Sequence, residues 1–159
     1  MPQSAKTMSR LDTRREGELL DNLVGYNLKH AYMIFQDDFR KTLGESRLTP
    51  RAFAVLMLIA QIPNVTQSAI SRHLGIERSG LVAIIDDLEQ RGLVLRVAVP
   101  GDRRVQALAL TDKGERSHAQ STEAVRDHEE RLLAAFTREE RQTLLDLLRR
   151  LRKWEEGAP

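Results

Sequence analysis

Between Thr66 and Thr111 the chain reads TQSAISRHLGIERSGLVAIIDDLEQRGLVLRVAVPGDRRVQALALT, and its hydrophobic period changes twice in that span. Few folds accommodate such an order. Thr66 follows Pro63-Asn64 and is placed to cap a helix whose apolar positions Ala69, Ile70 and Leu74 fall at helical spacing. Gly75 then supplies a residue free to adopt positive φ, and Ile76-Glu77 make a tight corner. The next helix carries Leu81, Ile84, Ile85 and Leu88 on one face and leaves Arg78, Ser79, Ala83, Asp86, Asp87 and Gln90 elsewhere. Gly92 ends it. Leu93, Leu95, Val97 and Val99 then alternate with Val94, Arg96 and Ala98; after a turn, Val105, Ala107 and Ala109 alternate with Gln106, Leu108 and Leu110. That is the pattern of a two-stranded hairpin, with Pro100 to Arg104 as its turn and Arg103 and Arg104 expected at the tip.

Helix, corner, helix and hairpin in this order spell a winged helix-turn-helix, whose second helix enters the DNA major groove with its N-terminal residues at the base edges. The surface expected to meet DNA comprises Thr66, Gln67, Ser68, Ser71, Arg72, Arg78, Ser79 and Gly80. Their hydroxyl, amide and guanidinium groups serve phosphates and base edges alike. Ser71 and Ser79 also admit a plainer reading as small helix-packing residues. Adjacent arginines on a hairpin suit phosphate contact and insertion into the narrow minor groove. Aromatic residues are 4% of the chain and none lies between Thr66 and Thr111. Modules for single strands or RNA stack bases on exposed rings, so duplex DNA is the better partner.

The flanks read as helices. Residues 1–12 are expected to be a mobile arm. Thr13 with Glu16 forms a capping-box pair that opens a long helix, on which Leu20, Val24, Leu28, Ala31, Phe35 and Phe39 recur at helical spacing as far as Leu43, with Gly44 closing it. A second apolar set, Leu19, Leu23, Tyr26 and Met33, calls for a second neighbour, naturally a partner subunit. Thr49-Pro50 starts a helix whose segment Ala52 to Ile62 is almost continuously apolar. Thr111 caps a long polar helix from about Asp112 to Ala135, a strut between the DNA-binding lobe and the dimer interface. Thr137 with Glu140 repeats the capping box before a final helix rich in leucine, Leu144, Leu145, Leu147, Leu148 and Leu151, with Trp154. The expected fold is mostly α with a small β-hairpin wing: a winged helix-turn-helix lobe over 48–111, flanked by dimerisation helices over 13–45 and 112–156. A chain of 159 residues has room for one small domain and such an oligomerisation element.

The run Leu88-Glu89-Gln90-Arg91-Gly92-Leu93-Val94, then Arg96, then Pro100-Gly101-Asp102-Arg103-Arg104, then Leu110-Thr111-Asp112-Lys113-Gly114 resembles the signature of the MarR family of transcription regulators. The resemblance covers nearly the whole chain and is specific as a compound pattern. It implies a homodimer that binds a pseudo-palindromic DNA operator, a repressor released by a small molecule, often an aromatic acid. It places Arg103 at the minor groove and likens Asp102 to the family's paired acid that steadies the wing arginine; a plain turn Asp is an equally physical reading. Val99 departs from the pattern, standing where the family commonly has an acidic residue.

The resemblance further implies an effector pocket between the dimer helices and the DNA-binding lobe. Tyr26, His30, Phe35, Arg40, Phe53 and Met57 are its candidates, with Arg40 as counter-ion to a carboxylate; singly, each reads more plainly as core or surface. His118 and His128 are ten positions apart on the polar strut, so neither a metal pair nor anything beyond solvated histidines is expected. The absence of cysteine removes disulfides, thiolate metal sites and thiol switches. With 25 basic and 23 acidic residues, net charge decides little. No apolar run approaches a membrane span and the first residues lack an apolar signal core, so a cytoplasmic, non-membrane protein without cofactor or metal is expected. Two other classes stand against the regulator: a small enzyme acting on an aromatic acid with His30 as base, and a winged-helix module binding an acidic protein. The first lacks a nucleophile, a phosphate loop or an oriented carboxylate cluster, so no catalytic residue is assigned.

Overall fold

The computed structural model describes residues 19–153 apart from 45, 47, 100 and 101, and for 99 and 102–105 it describes the backbone alone. The chain divides into two compact units, Met1–Lys41 and Thr42–Pro159.

In the first unit the long N-terminal helix is interrupted. Residues 19–21 are helical, the backbone turns at Asn22-Leu23, and α1 runs over Val24–Thr42. Asp21, Asn22 and Gly25 are poor helix residues close together, and the break exposes carbonyls that an unbroken helix would have satisfied. Asn27 repairs this by donating from its side-chain amide to the carbonyls of Asp21, at 2.7 Å, and Leu23, at 2.9 Å. The expected single helix to Leu43 is therefore interrupted at Asn22-Leu23, and the Thr13–Glu16 pair lies outside the described residues. No residue of α1 is buried, and Tyr32, Met33 and Ile34 are well exposed.

The second unit is built around α2, Pro50–Gln61, which starts as its sequence dictates: Thr49 accepts a hydrogen bond from the Ala52 amide, and proline occupies a position whose amide has no helical partner. Ala52, Val55, Leu56, Leu58 and Ile59 are buried. Against α2 pack α3 (Gln67–Leu74), α4 (Arg78–Gln90), the strand β2 (Asp102–Leu110) and the strut α5 (Asp112–Leu132). Leu81, Ile85 and Leu88 of α4 and Ile70 of α3 extend the core. Removing one such side chain, as in Leu56→Ala, costs about 2–5 kcal/mol.

β1, Val94–Val99, pairs antiparallel with β2, but burial does not follow the simple alternation read from sequence. Ala107 and Leu108 are both buried, and so is Val94, while Leu95 is exposed. The reason is a third, very short participant. Thr66 forms a bridge with Ala107, and the Leu108 amide donates to the Val65 carbonyl at 2.8 Å, so the base of the hairpin is covered on more than one side. The strut ends at Leu132, short of Ala135, because Arg141 of the last helix, α6 (Arg138–Arg152), donates twice to the Leu133 carbonyl and also reaches Glu130. His128 is buried on the strut, which corrects its reading as a solvated residue. The Thr137–Glu140 capping box forms in both directions. Leu145, Leu147 and Leu151 of α6 are exposed, and Trp154 lies outside the described residues.

Candidate nucleic-acid interface

Three local devices set the angle of α3 and α4. The Thr66 hydroxyl caps α3 by accepting from the Ala69 amide at 3.3 Å. Gly75, at φ +61°, reverses the chain at the far end, and the Ile76 amide returns to the Ser71 carbonyl at 3.2 Å. The Ser71 hydroxyl donates to the Ile76 carbonyl at 2.7 Å, so this side chain is committed to the corner between the helices. Gln67 is half-buried, Ser68 is exposed, and Arg72 donates to the Ser68 carbonyl at 3.4 Å along the surface of α3.

On α4 the first-turn residues Arg78, Ser79 and Gly80 are exposed together, preceded by Glu77, whose side chain makes no capping bond. Farther along, the acidic groups that would repel a polyanion are matched. Arg96 of β1 forms ion pairs with both Asp86, at 2.6 Å, and Glu89. Hydrogen bonding to Asp86 is the main reason the Arg96 guanidinium holds its proton even more firmly than an ordinary arginine. Arg91 pairs with Asp87 at 3.2 Å. The same Arg96 clamp ties the wing to α4, a role its place in the sequence pattern did not disclose.

At the tip the register differs from expectation. Ala98 pairs with Gln106 while the next residue, Val99, pairs with Asp102, so residues 103–105 of β2 are inserted between consecutive partners. Arg103 and Arg104 thus belong to an irregularity within β2, not to the turn expected of them. Such insertions bend a strand and re-aim what it carries.

The wing is joined to the strut through a tight seam. Leu93 and Gly92 close α4 with paired returns to Leu88, at 2.9 Å, and Glu89, at 2.8 Å, which Gly92 permits by its φ of +70°. The Thr111 hydroxyl donates to the Gly92 carbonyl at 2.7 Å and accepts from the Gly114 amide at 3.0 Å, and the Thr111 amide donates to the Leu93 carbonyl at 3.1 Å. Gly114 lies so close to that carbonyl that a Cβ would fall on its oxygen. This explains glycine in the Leu110–Gly114 run physically, a requirement visible only once the two segments meet.

Of the six effector candidates, Tyr26, His30, Phe35 and Arg40 lie in the first unit and Phe53 and Met57 in the second. The Tyr26 and His30 rings are tilted against each other with centroids 4.3 Å apart. Arg40 pairs with Asp37 at 3.0 Å. The Met57 sulfur accepts from the His118 ring at 3.1 Å and from the Thr122 hydroxyl at 3.3 Å, two strut groups that sequence reasoning did not connect with it. Among the described residues, no cluster of three or more His, Asp or Glu is placed to hold a metal ion, and no helix is long and apolar enough to cross a membrane.

With this geometry in view, residues 48–105 match the model of the MarR family. The chain is also 30% identical over 137 residues, 86% of its length and 82% of the other's, to a Thauera aromatica protein named for transcriptional regulation of the hcr operon. It belongs to the MarR family. Among solved MarR-type structures it is similar to the transcriptional repressor CouR bound to a 23-mer DNA duplex, with 40% identity, a TM-score of 0.79, and coverage of 83% of this chain and 94% of that one. CouR bound to p-coumaroyl-CoA matches with 37% identity, a TM-score of 0.76, and coverage of 84% and 94%. The mostly helical chain with one antiparallel hairpin has the winged-helix fold of these relatives.

Proposed function

We infer that the protein is a homodimeric, sequence-specific regulator of transcription that binds double-stranded DNA and represses until a small aromatic acid, or its CoA thioester, releases it. One observation carries this reading: a repressor solved on a DNA duplex aligns with most of this chain at an identity high enough to speak for more than fold. The relatives named above are regulators of transcription by name, which favours this reading over an enzyme acting on an aromatic acid. A protein of this class works in the cytoplasm, where the operator is.

The lobe over 48–111 is the DNA-binding part, and the helices over 13–45 and 112–156 hold the dimer. The exposed leucines of α6 and the exposed apolar residues of α1 support that division, since neither face is stable in water alone. Arg78, Ser79 and Gly80, with Gln67, Ser68 and Arg72, face the major groove; Asp102, Arg103 and Arg104 serve the flanking minor groove; Thr66 and Ser71 hold the corner that presents them. Tyr26, His30, Phe35, Arg40, Phe53 and Met57 receive the effector. Release follows if the effector binds more tightly to a lobe spacing that does not fit two half-sites about one helical turn apart.

Fluorescence anisotropy with a labelled duplex from the region beside the protein's own gene tests this. Wild type is expected to bind in a salt-dependent manner, and Arg103→Ala to flatten the salt slope by about one unit per lost phosphate contact. Indifference to every duplex from that region would refute the reading.

A further inference from the structure

Beside the seam between α4 and the strut is a cavity of about 310 Å³ lined by Leu93 and by the polar residues Ser46, Arg91, Lys113, Arg116, Ser117 and Gln120. Its volume is roughly that of ten water molecules, at the small end of ligand pockets and ample for a phosphate or diphosphate group. Three cations and no carboxylate line it. Arg91 is held in place by Asp87 and by the Ser46 carbonyl at 2.5 Å, and Lys113 donates to the Arg91 carbonyl at 2.8 Å. Neither Lys113 nor Arg116 makes an ion pair among the described residues. Two cations without a carboxylate partner, Lys113 and Arg116, thus converge with Arg91 on a cavity whose lining offers no carboxylate, and an anion bound there would gain from all three.

We propose that this cavity is a phosphate-binding subsite, and that it receives a phosphate of an aryl-CoA effector. The second half rests on the reading of the protein as a repressor released by such a thioester. Coenzyme A carries a diphosphate and a 3′-phosphate, and guanidinium and ammonium groups are the usual partners of both. A DNA backbone is the less suitable occupant: Arg91 closes the far end of α4, thirteen positions on from Arg78 and about 20 Å along the axis. An anion bound here ties Ser46, the end of α4 and the first turns of the strut together, at the seam where the recognition helix is anchored.

Isothermal titration of the full-length protein with p-coumaroyl-CoA, p-coumarate, coenzyme A, ADP and inorganic phosphate, each for wild type, Arg116→Gln and Lys113→Gln, tests the proposal. The expected result is that each substitution weakens coenzyme A and its thioester about tenfold, a factor equal to about 1.4 kcal/mol, and leaves p-coumarate unchanged. Affinity for duplex and thermal midpoint are expected to stay at the wild-type value for Arg116→Gln, which removes no hydrogen bond or ion pair among the described residues. Should the thioester fail to release DNA while coenzyme A, ADP or phosphate still binds and weakens in both variants, the subsite stands and the effector reading falls. Equal coenzyme A affinity in wild type and Arg116→Gln, no binding of any phosphate-bearing probe, or a loss of duplex affinity in Arg116→Gln would each overturn the subsite.

Discussion

Gly114→Ala is the sharpest perturbation available, because two helical glycines of one chain are expected to respond with opposite signs. A Cβ at residue 114 would fall on the Leu93 carbonyl oxygen, lie 2.9 Å from its carbon and 3.4 Å from the Leu110 Cβ. A backbone carbonyl cannot swing aside as a side chain does, so the seam has to open. Such overpacking costs about 1–3 kcal/mol. Opening also strains the Thr111 bonds to the Gly92 and Leu93 carbonyls, each worth about 1 kcal/mol. Alanine's better helix propensity returns about 1 kcal/mol. The net loss is about 2–4 kcal/mol, which for a chain of this length lowers the thermal midpoint by roughly 5–15 °C. At Gly80 the nearest atom to an added Cβ is Ile76 Cγ2 at 3.7 Å, an ordinary contact, so Gly80→Ala is expected to be neutral or to stabilise by up to about 1 kcal/mol. Urea unfolding of the three proteins at one protomer concentration measures both. A Gly114→Ala protein as stable as wild type would refute the close packing of strut on wing.

Other outcomes follow from the same contacts. Arg96→Ala removes the ion pairs to Asp86 and Glu89; because the side chain is partly exposed the stability loss is held to about 1 kcal/mol, yet duplex affinity is expected to fall about tenfold as two carboxylates on α4 lose their neutralising partner. Arg96→Lys, with one point charge for two acids, should recover only part of it, as anisotropy would reveal. Leu147→Glu with Leu151→Glu places charges on the exposed stripe of α6, and light scattering should then report monomers that no longer bind the duplex; an intact dimer would move the interface elsewhere. Lys41, hydrogen-bonded to Asp37, is the largest cause holding that carboxyl below its usual range, with Arg40 adding to it. A depressed folded value means the contribution exists above the unfolded value and fades as pH falls through the folded one. Carboxyl NMR should therefore show Asp37 titrating low and moving up in Lys41→Gln, with no measurable change in stability because the pair is fully exposed.

Much of this fold is written locally. Thr49, Thr66, Thr111 and Thr137 each cap the helix that follows, Gly75 and Gly92 each adopt the positive φ that ends one, and the leucine and isoleucine stripe of α4 turns inward as its period requires. Caps and amphipathic stripes depend on neighbours within four residues, so a linear reading reaches them. The break before α1 escapes a linear reading because it turns on one side chain, Asn27, satisfying carbonyls six and four residues back.

Sequence alone determined the order of elements, the family and the residue types offered to DNA, since each depends on short spacings and the chemistry of side chains. Only the tertiary structure decided that Val65-Thr66 covers the base of the wing, that three residues bearing Arg103 and Arg104 are inserted out of register, that Arg96 neutralises α4, and that Gly114 must be glycine. These are contacts between segments distant along the chain, or register choices between strands, and no periodicity encodes where two such segments will meet.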